Sequence, residues 1–140
     1  MNQAEVSFTF GEGRSPMAKV LGLPRILVFD YGAGVTFDVN QAVLKPDFLP
    51  LLERQASLLQ QQFKGLEVHV CGHTDSTGRP ERNLSLSLDR ARAVADDLTR
   101  RGVTATQLKV QGLGSAYPVA PNDSDVNRTL NRRTEVILGQ

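Results

Sequence analysis

The chain has 140 residues, 40% hydrophobic and 22% charged, a composition that suits one globular domain with a single core. A formal net charge of +1 excludes the broad basic field on which a nucleic-acid binder depends. The lone cysteine, Cys71, excludes an intrachain disulfide, and no apolar run approaches the roughly 18 residues needed to span a membrane as a helix.

Residues 1–33 carry the weakest patterns. Val6, Phe8 and Phe10 alternate with polar residues as a short strand does, and Gly11, Gly13 and Pro16 end it. Ile26, Val28 and Phe29 suggest a second strand, closed by Asp30-Tyr31-Gly32. This N-terminal extension is expected either to pack as an edge hairpin or to link to further sequence. Its start, MNQAEVSFTF, has neither a basic nor an apolar signal-peptide region.

Val35-Thr36-Phe37-Asp38 reads as the first core strand. Helical spacing follows from Asp47 to Phe63 through Leu49, Leu52, Ala56, Leu59 and Phe63. Pro50 is tolerable there only in the first turn, where its missing N–H has no partner to lose. Leu66 to Cys71 reads as the second strand.

Gly72 to Val94 is the most informative stretch. Gly72, Gly78 and Pro80 break the strand, and Thr74, Asp75, Ser76 and Thr77 supply turn chemistry. Leu84, Leu88, Ala91, Ala95 and Leu98 then recur at spacings of 4 and 3, one face of a helix. Asn83, Ser87 and Arg90 share the neighbouring face, with Asn83 and Arg90 roughly 10 Å apart along the axis. Asn83 is expected to cap the helix. A carboxylate at Asp75, an amide, a guanidinium and a helix N-terminus around one cleft suit a small zwitterion. Arg101-Gly102 ends the helix. Gln107 to Val110 reads as a third strand, a long loop leads to Arg128, and Thr134 to Leu138 makes the last strand. The order β-α-β-α-β-β predicts an α/β (α+β) sandwich of two main helices on a mixed sheet.

The run Thr74-Asp75, Gly78, Asn83, Leu86-Ser87, Arg90-Ala91 resembles the core of the OmpA-like peptidoglycan-binding domain. Phe37-Asp38 with Leu44-x-Pro46, and Gly114, Pro118, Asn122, Arg128 and Asn131-Arg132-Arg133, extend the resemblance over residues 34–140, leaving 1–33 outside it. The resemblance implies non-catalytic binding of the peptidoglycan stem peptide through meso-diaminopimelate. Asp75 would take the free ammonium and Arg90 the free carboxylate. Asn40, Thr74, Asn83 and Arg132 would line the cleft, and Leu84 would offer backbone at the helix start. Arg132 and Arg133 face opposite ways on an extended segment; the resemblance gives Arg132 to the site and Arg133 a structural role. It also implies a periplasmic place, with attachment to a membrane through sequence upstream of this fragment. No cofactor is implied, and the oligomeric state stays open.

Three alternatives follow from other residues. His69, Cys71, His73 and Asp75 alternate and are all zinc-ligand types, but Gly72 is expected to interrupt the strand and no second ligand cluster exists. Hydrolysis of the wall would need two carboxylates over one bond; Asp75, Glu81 and Asp89 are the candidates, and Asp89 projects about 100° away from Arg90 on the helix. An envelope protein-interaction module is the third. Cys71 is expected to be a buried, inert thiol.

Overall fold

A computed structural model describes residues 6–23 and 25–139; the first five residues of the N-terminal extension lie outside the described residues. The described strands form one mixed sheet, β1 (Val6–Phe10), β2 (Ile26–Gly32), β3 (Glu67–His73), β4 (Leu108–Gly112) and β5 (Arg133–Gly139), in the order β1-β2-β5-β3-β4. Only the β3–β4 pair is parallel, as its crossover through a long helix requires. The expected mixed α/β architecture is therefore present. It has one strand more than the four-strand reading, because both strands suggested within the first 33 residues, β1 and β2, join the sheet and residues 35–38 do not.

Two main helices cover one face. α3 (Leu49–Gln61) follows a 3₁₀ turn at Pro46–Phe48, so Pro50 does fall in the first turn. α4 spans Pro80–Arg100. Between them and the sheet lies the main core, including Phe48, Leu52, Leu59, Val68, Val70, Val94, Leu98 and Val136, all without solvent exposure. Each such side chain contributes about 1.5–3 kcal/mol by leaving water. Tyr31 joins β2 to α3 by donating its hydroxyl to Gln55 Oε1 at 2.5 Å. The opposite face carries a smaller cluster of Met17, Ala18, Ile26, Val28, Cys71 and Ile137, covered by the short helix α1 (Pro16–Leu21).

Four expectations need correction. Residues 35–38 are not a core strand: the place beside β5 is filled by β2, whose pairing ends at Gly32 opposite Arg133. The chain then turns through α2 (Ala33–Thr36), with the Thr36 hydroxyl bonded back to the Gly32 and Ala33 carbonyls, and only Phe37 forms a bridge, to Leu44. Gly72 does not end the strand, because β5 and β4 pair with it and β5 also pairs with His73. α4 starts at Pro80, whose fixed φ suits the first helical position, so Arg79 and not Asn83 occupies the cap. Leu84 is 51% exposed and off the buried stripe, since the first turn of α4 reaches past the end of the sheet. Two short helices, α1 and α5 (Asp125–Asn131), were not expected; Ser15 and Ser124 cap them, accepting from Ala18 N and Asn127 N.

Close seating of α4 on the sheet rests on two glycines. Gly72 and Gly112 are register partners in β3 and β4. A Cβ on Gly72 would lie 2.1 Å from the Ser87 carbonyl oxygen, and one on Gly112 would lie 2.4 Å from Leu88 N. The helix backbone thus rests directly on strand backbone, and Ser87 Oγ accepts from Gly114 N at 3.0 Å. This seating brings the α4 residues Asn83 and Arg90 to the end of β3.

Candidate diaminopimelate site at the end of β3

A cleft of about 520 Å³ opens where β3 runs into α4. Beyond His73, Thr74 N donates to Gly114 O at 2.9 Å, tying the loop to the end of β4. Asp75 then folds the loop around its own side chain. Its Oδ1 accepts from Thr77 N at 2.8 Å and from Thr77 Oγ at 2.5 Å, a turn chemistry that Asp followed by Ser and Thr provides. Gly78 completes the bend at φ 81°. Asn83 steadies it, donating Nδ2 to Thr77 O at 2.9 Å. The cap expected of Asn83 is thus replaced by a brace on the loop.

Asp75 is only 5% exposed. Burial alone would raise its pKa, but the Thr77 hydroxyl and amide and Arg132 outweigh it and hold the carboxyl below its ordinary value. Arg132 Nη1 lies 2.5 Å from Asp75 Oδ2, and its Nη2 donates to Thr129 Oγ1 at 2.9 Å. Arg132 follows the last residue of α5, so that short helix delivers the guanidinium.

Arg90 enters from the other side and is 7% exposed. Nε donates to Gln41 O at 2.9 Å and Nη2 to Asp38 O at 3.2 Å. Its guanidinium sits 5.0 Å from the Phe37 ring centroid, within range of a cation–π contact. Nη1 has no hydrogen-bond acceptor among the described residues. Burial, and then the charge of Arg132, work against its proton. Arg90 therefore both pins the 38–41 loop and lines the cleft. Asn40 in that loop adopts φ 59°, a left-handed conformation that Asn tolerates.

The cleft brings together Asp75, Arg90, Asn83, Thr74, Asn40 and Arg132. Leu84 does not line it; its carbonyl accepts from Ser87 Oγ. Sequence reasoning missed Phe37, Val39, Arg82, Leu86 and Thr129 on the walls. Thr129 stands three residues before Arg132, a helical spacing that a recognised α5 would have exposed.

Arg132 and Arg133 do diverge. Arg133 is buried and lies between Asp30 and Glu135, with Nε 3.4 Å from Glu135 Oε2, while Nη1 and Nη2 donate to the Asn131 and Tyr117 carbonyls. Asn131 in turn gathers the preceding loop, accepting from Val119 N and Ala120 N.

The zinc-type residues are occupied elsewhere. His73 Nε2 lies 2.7 Å from Glu135 Oε1, His69 Nε2 lies 2.8 Å from Glu67 Oε2, and Cys71 is packed in the smaller apolar cluster. No cluster of three or more ligand-type side chains that could hold a metal occurs among the described residues. Of the carboxylates among the described residues, only Asp75 lines the cleft; Glu81 and Asp89 line a neighbouring groove.

Residues 36–132 match the model of the OmpA family. The chain is 39% identical over 112 residues to the probable lipoprotein YiaD of Escherichia coli, covering 80% of this chain and 51% of that protein. It is 36% identical over 107 residues to the peptidoglycan-binding protein ArfA of Mycobacterium tuberculosis, covering 76% of this chain and 32% of that one. The cell wall anchor of the type VI secretion system (T6SS) from Pseudomonas aeruginosa superposes with a TM-score of 0.76 at 27% identity, over 96% of this chain and 87% of that chain. This chain thus spans about half of YiaD and a third of ArfA. On the extent of these matches, the chain belongs to the OmpA family.

Proposed function

We propose that this domain holds peptidoglycan without catalysis, gripping the free end of meso-diaminopimelate in the stem peptide and so tethering an envelope protein to the cell wall in the periplasm. Sequence outside this domain would supply the attachment to a membrane. The observation that carries the reading is one carboxylate, Asp75, and three guanidinium groups, the buried Arg90, Arg132 and the exposed Arg82, lining one cleft. That set matches a ligand end bearing one ammonium and one carboxylate. Asp75 takes the ammonium, and Arg90 turns Nη1 to the carboxylate. The names of ArfA and of the secretion-system anchor support the same reading, and among the described residues the cleft offers one carboxylate where hydrolysis needs a pair.

Lysine-type walls lack the terminal carboxylate, so binding them leaves a charged donor unpaired. That loss is on the order of 2–4 kcal/mol, or about 30- to 1,000-fold in affinity. Sedimentation with purified walls tests this. The wild-type domain should be retained by diaminopimelate-type walls and largely ignore lysine-type walls. Asp75→Ala should weaken retention on both, whereas Arg90→Ala and Arg90→Lys should remove most of the preference. Equal retention of the wild type on both walls would show that no residue reads the carboxylate.

A further inference from the structure

The cleft contains an ion pair of its own. Asp75 Oδ1 is filled by two donors from Thr77, and Oδ2 accepts Arg132 Nη1 at 2.5 Å. An ammonium entering the cleft therefore meets a carboxylate whose free lone pair lies beside a guanidinium. It must either share Oδ2 with Arg132 or displace Arg132. Displacement moves that guanidinium into a space that Arg82 and Arg90 also line. The polar acceptors of Arg90 are the Gln41 and Asp38 carbonyls, and among the described residues the cleft has no second carboxylate to take the released charge. On either route one positive charge is stranded in a half-buried cleft unless the ligand brings an anion with its ammonium. The side chain of Arg132 is 41% exposed and its second contact is the Thr129 hydroxyl, so it can swing without breaking the core.

We propose that Arg132 acts as an internal stand-in cation on Asp75, making the site reject plain amines and admit only zwitterionic ligand ends. The inference rests on the diaminopimelate reading above and adds a discrimination step to it. In that reading the carboxylate is rewarded by Arg90; here the bare ammonium is also penalised, by Arg132. The two effects separate on substitution. Losing Arg90 removes affinity for the zwitterion and gives nothing to lysine. Losing Arg132 uncovers Asp75, so affinity for lysine rises in absolute terms.

The test uses two soluble tripeptides, L-Ala-γ-D-Glu-meso-diaminopimelate and its L-lysine counterpart, titrated calorimetrically into wild type, Arg132→Ala and Arg132→Gln. Both variants should bind the lysine peptide more tightly than wild type, and the preference for diaminopimelate should shrink by about tenfold or more. A parallel measurement follows the Asp75 carboxyl carbon by NMR in the ligand-free protein. Its titration midpoint should rise in Arg132→Ala, because a stabilising cation has gone. Equal weakening of both peptides in the variants, no gain for lysine, or an unmoved Asp75 midpoint would overturn the stand-in role while leaving the diaminopimelate reading intact. A wild-type domain that binds neither peptide would overturn the reading and this inference together.

Discussion

Gly72→Ala is the substitution on which the seating of α4 turns. The added Cβ would sit 2.1 Å from the Ser87 carbonyl oxygen and 2.8 Å from its carbon, where real Cβ contacts essentially never fall under 3.0 Å. The obstructing atoms are helix backbone, so no rotamer change relieves the clash. α4 must lift by nearly an ångström, or β3 must bend away from its partners in β4 and β5. Overpacking of this kind costs about 1–3 kcal/mol, and a backbone clash belongs at the upper end. For a domain of this size that corresponds to a melting temperature lower by about 10 °C. Gly78→Ala is the control. It has open space around it but φ 81°, so it should cost about 1 kcal/mol through backbone strain alone. Calorimetry ranks the two, and wall sedimentation below the transition reads the site, since lifting α4 moves Arg90 and Asn83 away from Asp75. If Gly72→Ala melts no lower than Gly78→Ala, the helix does not rest on the strand as described.

Two further outcomes concern the buried polar group under α1. Burial pushes the Asp30 carboxyl up to about 6, against the opposing charge of Arg133. Folding therefore favours its protonated form, and stability should fall as pH rises from 3.8 towards 6, then level off. Urea unfolding should show Asp30→Asn removing a decline of about 2 kcal/mol between pH 4.5 and pH 7; an unchanged slope would mean that Asp30 is solvated. Glu135 behaves oppositely: burial would raise it, but His73 and Arg133 outweigh that and hold it down to about 2. Its contribution is complete above 4.5 and is lost as pH falls below that value, which should steepen acid unfolding. Cys71, its thiol pushed up to about 12 by burial and then by the Glu135 charge, should resist iodoacetamide in the native protein and react once unfolded; rapid native labelling would contradict its packing.

What the sequence revealed about the fold follows the strength of local signals. α3 and most of α4 were legible because a long amphipathic stripe repeats over several turns, and β3, β4 and β5 because apolar runs end at glycines. α1 and α5, six and seven residues long, have no room for such a stripe. Their only local marks are Ser15-Pro16 and Ser124-Asp125, cap chemistry that turns also use. Residues 35–38 misled for a different reason. Val35 and Phe37 alternate as a strand does, yet a strand needs a partner, and the position beside β5 was already taken by β2. Competition for a sheet edge is a tertiary fact that no window of sequence contains.

The site divides along the same line. Asp75, Asn83 and Arg90 lie within sixteen residues on one loop and one helix, so spacing alone could place them together. Arg132 is 57 residues from Asp75, and spacing offered no reason to join them; only the family resemblance did. Even then, the resemblance named Arg132 as a wall of the cleft without stating that it already occupies the Asp75 carboxylate. Likewise the sequence offered Arg90 as a candidate ligand donor, but not as the side chain that holds the Asp38 and Gln41 carbonyls and with them the loop carrying Asn40. Both facts change what a substitution means. Arg90→Ala removes a loop anchor together with the proposed ligand contact, so a loss of binding would overstate that contact. Arg90→Lys keeps a charge while giving up the planar fork that spans two carbonyls and would offer its remaining nitrogen to a ligand oxygen. A loss confined to the preference between walls, with the melting temperature kept, would assign the effect to the carboxylate contact and not to the loop.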